Sequence, residues 1–82
     1  MIGWYGRPDR VAQAMVDALE NGEIRTRGAW VHFIRHLERL PPRLRLWTLE
    51  KTREIAGDTT HDYILSWMIE PPRPRPVPAG VR

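Results

Sequence analysis

Apolar residues recur along this chain at helical spacing. Val11, Met15, Ala18 and Leu19 fall at i, i+4, i+7 and i+8, so they share one face of a helix. This predicts a first helix from about Pro8 or Asp9 to Glu20. Asp9 sits in its first turn, where negative charge suits the dipole. Asn21-Gly22 should stop it, because glycine takes the left-handed C′ position without penalty. Trp30, Phe33, Ile34, Leu37 and Leu40 form a cleaner stripe, with His32, Arg35 and Arg39 opposite it. A second helix is expected from about Arg27 to Leu40, capped by Thr26. Pro41-Pro42 ends it, since the residue before a proline is pushed out of helical angles and proline lacks an amide donor. Pro42 can still open the next helix in its first turn.

The third helix is expected to run to about Ala56, with Gly57 as its cap. Its pattern is less clean. Leu44, Trp47 and Ile55 share a face with Thr48, whereas Leu46, Leu49 and Ala56 point roughly the other way. Arg43-Leu44-Arg45-Leu46 also alternates with a period of two, a strand signal, although helix is the favoured reading. Apolar residues on two sides mean that this helix is either sandwiched between others or keeps one side for a partner. Thr59-x-x-Asp62 has the form of a capping box and predicts a fourth helix ending at Glu70. Tyr63, Ile64, Leu65, Trp67, Met68 and Ile69 cover most of its circumference, as in a buried core helix or an oligomer interface. Residues 71–82 are rich in proline and arginine and should form an extended tail. The expected architecture is therefore all-α: a compact bundle of four short helices over residues 1–70, followed by that tail.

With 82 residues the chain makes one domain with a small core. Four tryptophans supply unusually large burial for that length, and tryptophan is also enriched at binding hot spots. The absence of cysteine removes disulfides, thiolate metal sites and cysteine nucleophiles together, and favours a cytoplasmic setting. The first ten residues lack the apolar stretch of a signal peptide. The longest nearly apolar run, Tyr63 to Ile69, is too short for a bilayer, so no membrane association is expected.

Charge is distributed unevenly. Net charge is +3 overall, but residues 1–24 carry −2, residues 25–54 carry +5, residues 55–72 carry −3 and the last ten carry +3. The middle is basic between acidic flanks. Arginine outnumbers lysine twelve to one. That bias has a plain alternative source in GC-rich coding.

No catalytic or cofactor motif stands out, and no enzyme activity is expected. His32 and His36 have the i, i+4 spacing of a metal clasp, but a tetrahedral site needs two further ligands, so they are read as solvated surface histidines. Gly3 and Gly6 have no following P-loop lysine, and Ser66, the only serine, lies mid-helix. No cofactor or metal is expected. The second helix, the Pro-Pro corner and the third helix could form a helix-turn-helix, placing Arg43 and Arg45 where base contacts are made. The two prolines, Glu50 and Glu54, and the outward leucines argue against that motif. Arg25, Arg27, Arg35, Arg39, Arg43 and Arg45 could still contact phosphates without reading sequence.

The favoured reading is a small protein-interaction module. Arginine mixed with aromatic surface is the composition of interface hot spots. The expected contact set is Arg35, Arg39, Arg43 and Arg45, with Leu46, Trp47 and Leu49 beside them. The expected partner is a larger protein or nucleoprotein complex, on which the chain acts as a regulator, inhibitor or adaptor in the style of small phage and mobile-element proteins. Nucleic acid is the alternative partner. A homodimer pairing acidic segments with the basic middle is compatible with the charge pattern.

Overall fold

The computed structural model describes residues 4–68, and these form four α-helices in chain order: α1 Pro8–Glu20, α2 Arg27–Arg39, α3 Pro42–Ala56 and α4 Asp58–Trp67. The all-α bundle matches the sequence expectation, and no strand forms at Arg43–Leu46. Ile69, Glu70 and the expected tail over 71–82 lie outside the described residues.

Local chemistry sets most of the boundaries. Pro8 opens α1 at the position where a missing amide costs nothing. Gly22, at φ +71°, closes it: its N–H donates to the Leu19 carbonyl (3.1 Å) and the Glu23 N–H to the Ala18 carbonyl (2.9 Å), the paired bonds of a Schellman motif. Thr26 caps α2 as expected, its Oγ1 accepting from the Ala29 N–H at 3.1 Å. The helix ends at Arg39 rather than Leu40, because Leu40 precedes Pro41 and is extended at ψ 148°. Pro42 then starts α3.

α4 begins earlier than its capping-box pattern predicts. Gly57, at φ +92°, is both the C-cap of α3 and the N-cap of α4, so the chain turns through one residue. Thr59 therefore falls inside the first turn, and no side chain caps the helix. The glycine wins because a single left-handed residue re-aims the backbone more sharply than a hydroxyl cap can.

α3 packs against both α1 and α4, and α2 closes the bundle against α3 and α4. Phe33, Met15, Leu37 and Ile64 are fully enclosed at the centre. The fully buried residues of α3 are Thr48, Leu49 and Thr52, while Leu44 and Trp47 pack half-buried against the core and Ile55 reaches the surface. Both threonine hydroxyls donate to the carbonyl four residues back, Thr48 to Leu44 and Thr52 to Thr48, each at 2.8 Å. Internal satisfaction removes the penalty of burying them, and their small size fits them between packed helices. Leu46 is left outside, about half exposed among Arg43, Glu50 and Arg53. α4 is less enclosed than expected: Ile64 and Met68 are buried, but Tyr63 reaches the surface.

Trp4 is the least anticipated core residue. It precedes α1, yet only 5% of it is exposed. Its indole stacks on His32 (4.9 Å between ring centres, 29° between planes) and meets His36 and Phe33 edge-on. The two histidines are thus half-buried under an aromatic lid rather than solvated.

Candidate interaction surface

Most basic residues of the expected site are engaged within the chain. Arg25 donates to the Gly22 carbonyl at 2.8 Å and so closes its own loop. Arg27 lies over the Trp67 ring, 4.8 Å from its centre, in a cation–π contact. Arg35 pairs with Glu38 at 3.0 Å. Arg45 is half-buried and reaches back to the Leu40 carbonyl at 3.4 Å, with its Nε enclosed and lacking a hydrogen-bond partner. Beyond the expected set, Arg53 pairs with Glu50 and Asp58, and Arg7 with Asp9. Each of these cations is already engaged within the chain.

Three arginines are different. Arg10, Arg39 and Arg43 are exposed and make no ion pair, hydrogen bond or cation–π contact among the described residues. All three line grooves at one end of the bundle, where the first turn of α1 meets the Pro41-Pro42 corner. Asp9, Arg10 and Gln13 of α1 face Arg43, Leu44 and Trp47 of α3 across an open groove of about 520 Å³. On the other side of the same turn, Pro8 and Val11 join Trp4, Tyr5, His36, Arg39 and Leu40 around a second groove of about 240 Å³. A helix with its side chains is only about 10–12 Å across, so one partner can reach both grooves.

Of the expected contact residues, Arg39, Arg43 and Trp47 belong to this end. Leu46 is exposed beside it, whereas Leu49 is a core residue at 3% exposure and offers a partner nothing. Its position at the centre of α3's inward face is the reason. Arg10 and Leu44 were not anticipated. No sequence signal singled out Arg10: Arg10, Arg39 and Arg43 have no carboxylate three or four residues away, but neither do Arg7, Arg25 and Arg45, which the fold engages.

The aromatic lid borders the second groove, with His36 on its wall and His32 stacked on Trp4. Burial under Trp4 holds the His32 pKa below its ordinary 6.5, and the neighbouring His36 ring adds to the effect. His32 Nε2 and Trp4 Nε1 are enclosed without hydrogen-bond partners, so a proton on Nε2 would gain no acceptor. His36 Nδ1 donates to the His32 carbonyl at 3.1 Å, which fixes that ring. Among the described residues no three His, Cys, Asp or Glu side chains gather as a metal site would require, and no helix is long and apolar enough to cross a membrane. No family model matches this chain, and no curated protein or solved structure shows significant similarity to it.

Proposed function

We propose that this chain is a non-enzymatic protein-interaction module that docks on a larger protein through the end of the bundle bearing Arg10, Arg39 and Arg43. One observation carries the reading: the arginines without a partner among the described residues converge on two open grooves with apolar floors. An exposed guanidinium beside Trp47 and Leu44 is the chemistry of an interface anchor. The role of such a module is regulatory, as inhibitor or adaptor.

The nucleic-acid reading is weaker on the same geometry. Of the six arginines it invoked, Arg25, Arg27, Arg35 and Arg45 are committed inside the chain. The test is fluorescence anisotropy of labelled duplex DNA and single-stranded RNA titrated with the full chain, at low and near-physiological salt. Binding should be absent, or lost as salt rises. Micromolar binding that persists near physiological salt, and that Arg39→Glu with Arg43→Glu abolishes, overturns the protein-partner reading.

A further inference from the structure

We infer that the partner of this surface is an acidic protein segment carrying a bulky apolar anchor, which seats on Trp47 and Leu44 between α1 and α3. This rests on the interaction-module reading and specifies its partner. The argument from charge is direct. Arg10 and Arg43 stand on opposite walls of the larger groove, both exposed and both without an internal counter-charge. The one carboxylate of that groove among the described residues, Asp9, sits 3.8 Å from the Arg7 guanidinium, so the described rim is net positive. Among the described residues no carboxylate lines the second groove, and its titratable side chains besides the Tyr5 phenol are His36 and Arg39. Both grooves therefore present donors and positive charge to whatever enters.

The floors set the second requirement. Leu44 and Trp47 are half-buried, each leaning from α3 toward α1 and keeping apolar surface open. Carboxylates alone would leave that surface wet, and an apolar segment alone would leave the arginines unpaired. A segment with Asp or Glu on both sides of Leu, Phe or Trp satisfies both. Arginine's planar fork gives such carboxylates bidentate geometry, which a phosphate-tracking surface does not need apolar floors to use.

The test is a random-peptide display selection on the immobilised full chain, followed by direct binding of the recovered peptides. Enriched sequences should place Asp or Glu around one large apolar residue. Their affinity should fall about tenfold or more with Arg43→Glu, and likewise with Arg10→Glu, on the scale of a lost interfacial charge pair. Trp47→Ala should also weaken them, but that residue is half-buried, so far-UV circular dichroism must first show the variant folded. The surface arginine variants keep the test decisive if it is not. Arg53→Glu, at the far end of α3, should leave binding unchanged. Recovery of basic or uncharged peptides, recovery of none, or affinity lost in Arg53→Glu but kept in Arg43→Glu overturns the inference. Peptides of the wrong chemistry that still bind this end would leave the module reading standing. Salt-resistant nucleic-acid binding would remove both.

Discussion

Replacing Trp4 tests whether the segment before α1 is truly part of the core. The side chain is 5% exposed and contacts three rings of α2. Truncating a buried tryptophan to alanine costs about 3–5 kcal/mol. Against this, the indole Nε1 is enclosed without a partner, and removing such a group returns about 1–3 kcal/mol. The expected net loss for Trp4→Ala is thus about 2 kcal/mol, within a span of about 0–4 kcal/mol. A domain of this size has about 4–12 kcal/mol of stability in total, so the effect is large. Trp4→Phe keeps a ring on His32 and discards the unpaired N–H, and should cost under about 1 kcal/mol on the same accounting. The assay is urea unfolding followed by far-UV circular dichroism, with an unchanged m-value confirming that only stability moved. The His32 ring should respond too: uncovered by Trp4→Ala, its pKa should rise toward 6.5 in an NMR titration. No loss for Trp4→Ala, or a loss for Phe equal to or larger than that for Ala, refutes the packing described for this residue.

Other consequences are as concrete. Gly57→Ala forces a Cβ onto a residue at φ +92° that serves both α3 and α4, and should lower stability by about 1–3 kcal/mol in the same urea assay; no loss would mean that the turn relaxes freely. Thr52→Val removes a buried hydroxyl whose only bond is to its own helix, and should change stability by less than about 1 kcal/mol, whereas a larger loss would reveal a role beyond self-satisfaction. Acid should destabilise the fold through His32. Its folded pKa is depressed, so the unfolded chain binds more protons once pH drops below 6.5; stability is full above that value and declines as pH falls through the lowered one. Urea midpoints measured from neutral to mildly acidic pH should fall, and His32→Gln should flatten the slope; an unchanged slope in that variant would assign the effect to other groups.

Much of the fold could be read from the chain because its boundaries rest on single residues with strong backbone preferences. Thr26, the Pro41-Pro42 pair, Gly22 and Gly57 each act locally, and no packing partner is needed to see them. The α2 stripe was equally plain, since Phe33, Ile34 and Leu37 are large, apolar and buried, with only Ala29 unanticipated. The failures share a cause: the decisive information was tertiary. Thr48 and Thr52 read as polar, but their i−4 bonds let them line the interior while Leu46 faces water. Leu49 looked available to a partner only because nothing local showed which side α1 and α4 would occupy. Trp4 has no helical neighbours to give it a periodicity. For the surface, net charge by segment hid Arg10 in an acidic stretch, and helical spacing to carboxylates did not distinguish it from Arg25 or Arg45. Composition pointed to the middle of the chain, whereas the unpaired cations come from three helices meeting at one end.

The claim that this end of the bundle is the contact surface can be tested by NMR on the full chain. Backbone amide shifts would be followed while a short glutamate-rich peptide with a central Leu-Phe pair is added at low salt. Changes should concentrate on the first turn of α1, on Arg39, and on Arg43 through Trp47. Changes centred on Arg25, Arg27 or Arg53, or none anywhere, would contradict the account.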